Sequence, residues 1–163
     1  MRYVMKQKMF SLTDDYSITD ADGNAAYYVD GKFLSVGKNL SFQDMEQKEL
    51  LHIQQKLLNW GLTYEITHNG ELVARVKKEL FTLFHCVFHV DEPGHDALTA
   101  EGNFNDHEYI FTRGGTQVGS VSKQWFTLSD TYGVEVDGDE DPVLLLACTV
   151  VIDEACHGDN KRR

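Results

Sequence analysis

Seven histidines and three cysteines are the side chains of this 163-residue sequence best suited to holding a metal ion or attacking a substrate. His85 and His89 share one face of any strand that contains both, yet the strand would hold them roughly 13 Å apart. Zinc–nitrogen bonds are about 2 Å, so that pair cannot serve one ion. Cys86 points to the opposite face from both. Cys156 and His157 are adjacent, but they fall at the start of a polar end, residues 157–163, that is expected to fray. Cys86, Cys148 and Cys156 contain no CxxC pair and cannot all be bridged within one chain, which reads as reduced thiols in a cytoplasmic compartment. No metal site and no cofactor follow from these spacings.

Carboxylates offer two further patterns. Asp137, Asp139 and Asp141 have the alternate spacing of the first three ligands of an EF-hand loop. Pro142 then occupies the position that needs glycine, and Cys148 the position that needs a bidentate glutamate, so calcium is not the reading. Asp106-His107-Glu108 could supply an acid and a base, but no nucleophile or oxyanion donor is identifiable beside it. The sequence has no G-x-S-x-G elbow, P-loop or dinucleotide-binding glycine pattern. No catalytic residue is assigned. A hydrolase-like enzyme whose site the sequence does not display is the alternative to a binding module.

The elements that would carry any site are mostly strands. Four segments share one pattern of two large apolar residues flanking a small polar one, then a gap, an alternating apolar pair and a glycine. They begin at Phe10, Leu58, Phe81 and Phe126, their alternating pairs are Tyr16/Ile18, Tyr64/Ile66, Val87/His89 and Tyr132/Val134, and they end at Gly23, Gly70, Gly94 and Gly138. Asp22-Gly23, Asn69-Gly70 and Asp137-Gly138 accept positive φ and favour tight hairpins, with Pro93-Gly94 in the corresponding place of the third. Asp30-Gly31 and Arg113-Gly114-Gly115 supply further turns. Leu72, Ala74 and Val76 share one face of a strand whose other face carries Arg75 and Lys77. Good helix formers occupy 45–51, but alternation through Ile53, Gln55 and Leu57 favours strands there too.

The end of the chain differs. Asp139-Glu140-Asp141-Pro142 precedes Val143-Leu144-Leu145-Leu146-Ala147-Cys148-Thr149-Val150-Val151-Ile152. Acidic residues oppose the positive end of a helix dipole and proline loses nothing in a first turn, so a helix over about 142–155 is predicted. A central strand would also suit its Val and Ile residues. A helix apolar on nearly every side must be enclosed by protein. Its apolar run is about half the ~20 residues that cross a bilayer, so no transmembrane segment is expected. The first residues hold no apolar run of signal-peptide length, and the reading is one cytoplasmic domain over 1–156.

Several strings together identify a family: Met1-Arg2-Tyr3-Val4-Met5-Lys6-Gln7-Lys8, Tyr28-Val29-Asp30-Gly31-Lys32, Ile53-Gln54-Gln55-Lys56-Leu57-Leu58, Asp106-His107-Glu108-Tyr109, Phe111-Thr112-Arg113-Gly114-Gly115 and Asp130-Thr131-Tyr132-Gly133-Val134. The chain resembles the LURP-one-related family of the tubby C-terminal-like superfamily, which also includes phospholipid scramblases. The likeness runs from Met1 to about Asp153, with Leu128 standing where relatives often carry an aromatic. It implies a mainly β fold: a closed antiparallel barrel of about twelve strands around a central hydrophobic C-terminal helix, tubby-like, with no exposed sheet edges. It implies no general biochemical activity.

The functional expectation is a non-enzymatic binding or scaffold module. A formal net charge of -11 argues against nucleic acid and against broad adsorption to anionic membranes. Basic side chains could still gather locally. Lys6 and Lys8 share one strand face and Arg75 and Lys77 another, with Lys78 adjacent; together on a barrel they would hold the phosphate of an anionic lipid headgroup. A protein partner is the other ligand class.

Overall fold

The computed structural model describes residues 1–8, 15–31, 37–58, 61–80, 85–124, 126–127 and 130–157. Alternation of apolar and polar residues builds the first strands: β1 (Arg2–Gln7), β2 (Tyr16–Asp20), β3 (Ala25–Gly31) and β4 (Asn39–Gln43). They continue as β5 (Glu49–Leu58), β6 (Gly61–His68), β7 (Glu71–Leu80) and β8 (Cys86–Asp91). The set ends with β9 (Leu98–Asn103), β10 (Glu108–Arg113), β11 (Thr116–Ser122) and β12 (Thr131–Val136). Each strand pairs antiparallel with the next, and β12 returns to β1 through Arg2↔Glu135 to Lys6↔Thr131. The result is a closed antiparallel barrel with no free edge.

Turn chemistry explains two of the hairpins among the described residues. Asn69 (φ 50°) and Gly70 (φ 83°) join β6 to β7, and Gly114 (φ 57°) and Gly115 (φ 82°) join β10 to β11. Both pairs hold the two left-handed residues that match strand twist. Two sequence expectations need correction. Asp137-Gly138 forms no hairpin, because Pro142 comes next and starts a helix rather than a strand. Asp30-Gly31 is the end of β3, where Gly31 is buried and faces Leu40, and is not itself a turn. The 41–58 region is β4 and β5, as alternation indicated, joined at a turn where Asp44 Oδ1 accepts from the amides of Glu46 and Lys48 at 3.0 and 2.9 Å.

The repeat is partly visible. Its opening triplets fall wholly or in part outside the described residues. The alternating pairs do point inward in three copies: Tyr16 and Ile18, Tyr64 and Ile66, and Tyr132 and Val134 are all buried. In the third copy the register is displaced by one, and Phe88 and Val90 take the inward positions in place of Val87 and His89. In β7, Ala74 and Val76 are buried while Arg75 and Lys77 face out.

Inside the barrel lies α1 (Pro142–His157), two residues longer at its C-terminal end than the sequence indicated. Asp141 caps it, its Oδ1 accepting from the Val143 amide at 3.0 Å, and Pro142 occupies the first helical position. Residues 144–154 are all buried, so the helix has no solvent face to make polar. Thr149 satisfies its hydroxyl by donating to Leu145 O at 2.9 Å. The barrel wall closes on the helix tightly. A Cβ at Gly119 of β11 would lie 2.7 Å from Leu145 Cδ2 and 2.9 Å from Glu135 O, which explains a residue without a side chain there. Arg113 fastens the helix entrance: its Nε donates to Glu140 at 2.9 Å, and its other nitrogens reach Glu92 and the Asp96 carbonyl.

Candidate functional site

The last turns of α1 break its apolar character with Asp153 and Glu154, which are only 3% and 2% exposed. A carboxylate so enclosed must find charged or hydrogen-bonding partners. β1 and β2 supply Gln7 and Tyr16, the chain before β4 supplies Lys38, and the turn between β9 and β10 supplies His107. Tyr16 OH lies 2.7 Å from Asp153 Oδ2 and 2.6 Å from Glu154 Oε1, while Gln7 Nε2 donates to it at 3.2 Å. One hydroxyl hydrogen therefore serves two carboxyl groups. Lys38 Nζ donates to Glu154 Oε2 at 2.7 Å, and His107 Nε2 meets Asp153 Oδ1 at 2.7 Å. His107 adopts φ 53°, a left-handed turn conformation that aims its ring inward between Asp106 and Glu108, whose side chains engage Asn103 and Ser122.

Rings stack around this centre. The His107 ring lies 4.5 Å from that of Tyr132 and 4.7 Å from that of His157, which is nearly parallel to it at 8°. His157 Nε2 reaches Phe104 O at 3.1 Å. Burial raises the Tyr16 and Tyr132 phenols well above their ordinary range, and the charge of Asp153 adds to the effect. Burial also pushes the Asp153 carboxyl up, but hydrogen bonds from His107 and Tyr16 outweigh it and hold the group below the usual carboxylate range. The cluster thus combines an ionised carboxylate, neutral phenols and imidazole nitrogens. That chemistry suits holding a proton or a cation.

It does not suit nucleophilic attack. Burial pushes the Cys148 thiol far up and the Cys156 thiol up to about 11, so neither is a thiolate near neutral pH.

The basic residues singled out from the sequence do not converge. Lys6 and Lys8 are exposed at β1, and the Lys8 ammonium sits 5.0 Å from the centre of the Tyr28 ring. β7 stands across the ring from β1, so Arg75 and Lys77 belong to the opposite wall. Arg75 shares Glu65 with Lys56, at 3.3 and 3.8 Å. Lys78 faces the other way from Arg75 and Lys77, its ammonium 6.0 Å from the centre of the inward Phe88 ring. The order of strands around a closed barrel separates what strand-face arithmetic placed together.

A model of the LURP-one-related family matches residues 1–153. The chain belongs to that family. Among curated proteins it is similar to "Uncharacterized protein YxjI" of Bacillus subtilis (strain 168), with 32% identity over 161 residues, 95% of this chain and 93% of that one. Among solved structures it is similar to a protein from Arabidopsis thaliana, with a TM-score of 0.70 over 94% of this chain and 90% of that chain. At 12% identity the plant structure speaks for the fold alone. The LURP-one-related match reaches Asp153 and so spans the barrel and the helix up to the polar cluster.

Sequence reasoning assigned His107 to a polar turn and His157 to a fraying end, and so missed both. A signal was present: Asp153 and Glu154 come directly after an apolar run that had to be enclosed, which requires buried partners for two carboxylates.

Proposed function

We propose that this LURP-one-related domain is a non-enzymatic binding module that works through the outside of its barrel. The observation that carries the reading is the filled interior: residues 144–154 occupy the space where a barrel of this kind would otherwise hold a ligand. A surface cleft of about 400 Å³ lies where β11 and β12 meet the N-terminus, lined by Arg2, Gln117, Ser120, Glu135 and Asp137. Its one cationic side chain, Arg2, is already paired with Glu135. Tyr16, Lys38, His107, Asp153 and Glu154 are engaged with one another at the helix end.

The ligand class that the outward cations suit is an anionic headgroup at Arg75 and Lys77. Lys6 and Lys8 would form a second and separate contact. Such binding is weak, because Arg75 also serves Glu65 and the protein as a whole is strongly acidic. Vesicle co-sedimentation tests it. Wild type is expected on vesicles rich in polyanionic lipid at low salt, and released at high salt, since exposed charges are screened within about 10 Å at 0.1 M. Neutral vesicles should not retain it. The double variant Arg75→Glu/Lys77→Glu should bind at least ~10-fold more weakly with an unchanged melting temperature, because each basic residue near a charged surface contributes about 1 kcal/mol. Failure of wild type to bind any anionic vesicle at low salt would remove the headgroup and leave a protein partner as the ligand.

A further inference from the structure

We propose that Cys86 and Cys156 are a redox pair, which a hydroperoxide converts to a disulfide that ties the last turn of α1 to the start of β8. Both thiols are free in the structure. The topology brings them to one mouth of the barrel. β8 ends beside the start of α1, where Arg113 holds both Glu92 and Glu140. β8 runs toward that mouth and α1 runs away from it. Cys86, the first residue of β8, and Cys156, the last but one of α1, therefore lie at the other.

Side-chain direction and contacts bring the two sulfurs together there. Cys86 shares the inward face of β8 with the buried Phe88 and Val90. The Phe88 ring lies 5.0 Å from that of Phe104, whose carbonyl accepts from His157, the residue after Cys156. Cys86 and Cys156 both pack against the apolar core. Lys78 is the β7 partner of Phe88, and its ammonium lies 6.0 Å from the centre of that ring. Electrostatics record the same neighbourhood: burial raises the Cys156 thiol to about 11, the Lys78 ammonium opposes the rise and the Cys86 sulfur adds to it. Cys148 takes no part. Eight residues of helix place it roughly 12 Å from Cys156, and it is wholly enclosed.

The Cys156 thiol is protonated at neutral pH, so the Cys86 sulfur makes the first attack. It breaks the peroxide O–O bond, becomes a sulfenic acid and releases one water. The Cys156 sulfur then bonds to the Cys86 sulfur, and its proton leaves with the displaced hydroxyl as a second water. Two thiols are oxidised to one disulfide and the peroxide is reduced. The end of α1 has room for the closing movement, since residues 155–157 are half-buried where 144–154 are enclosed. The bridge would fasten α1 inside the barrel.

The test treats folded, reduced, full-length protein with hydrogen peroxide, alkylates the remaining thiols and maps the peptides by mass spectrometry. A glutamate-specific protease cuts after Glu154 and so separates Cys148 from Cys156. One intramolecular bridge between Cys86 and Cys156 is expected per chain, with Cys148 still free. The bridged protein should melt about 5 °C or more above the same sample after dithiothreitol, because the cross-link constrains the unfolded chain. Cys156→Ser treated alike should form no bridge, and dithiothreitol should leave its melting temperature unchanged. A wild type that stays unbridged, or that joins Cys86 only to Cys148 or to a second chain, would overturn the proposal. So would a bridged form that melts below its reduced sample, since the bridge would then fit only unfolded protein.

Discussion

Leu145→Asp is expected to leave the protein unfolded. Leu145 is 1% exposed and sits where Gly119 makes room for it, so the new carboxylate would be shut off from water inside the barrel. Burying an unpaired charge costs several kcal/mol, and loss of the leucine packing adds about 2–5 kcal/mol. A typical domain has only about 5–15 kcal/mol in total. Circular dichroism of the purified variant should show no cooperative melt, whereas Leu145→Met should melt close to wild type because its volume is conserved. A near-normal melting temperature for Leu145→Asp would mean that the helix does not run through the barrel.

The second large effect concerns the ion pair at the other end of α1. Lys38→Met removes the ammonium 2.7 Å from the carboxylate of Glu154, which is 2% exposed and keeps the Tyr16 hydroxyl at 2.6 Å. Breaking a buried pair on one side costs about 3–5 kcal/mol. For a domain of this size that lowers the melting temperature by roughly 6–20 °C. Removing both charges should recover most of the loss, because a well-packed apolar pair can replace a buried ion pair at little cost. In Lys38→Met/Glu154→Leu, Tyr16 also has a single carboxylate, Asp153, to serve with its one hydrogen. Thermal melts of wild type, the single and the double variant complete the cycle. A single variant as stable as wild type would show that Lys38 and Glu154 are open to solvent.

These two results bear on different levels of the chain's legibility. Local physics was readable from the residues themselves. Ala74 and Val76 alternate with Arg75 and Lys77 because a strand has period two, and Asn69-Gly70 turns because both residues accept positive φ. The helix was readable because Pro142 and an acidic cap precede a run with no polar face. Asp137-Gly138 misled because the same dipeptide that starts a hairpin also serves the approach to a helix, and only the residues from Pro142 onward decide between them. Position around the barrel was not readable. Whether Lys6 lies beside Arg75 depends on the order in which all the strands close, which no local pattern encodes. The polar cluster was hidden for the same reason. His107 reads as one polar residue in a polar turn until the helix end arrives beside it.

A binding surface outside the barrel requires that α1 fill the interior permanently and not act as a plug that withdraws to open a ligand cavity. Native-state hydrogen exchange measured by NMR tests this most directly, because it reports the free energy of opening at each amide. Amides of residues 146–152 are predicted to exchange as slowly as those of Val90, Phe111 and Val134 in the barrel wall, with one common, global opening energy. Helix amides that exchange at least ~100-fold faster than a wall that stays protected would contradict it, and would make the interior of the barrel, not its outer surface, the place where this protein meets its ligand.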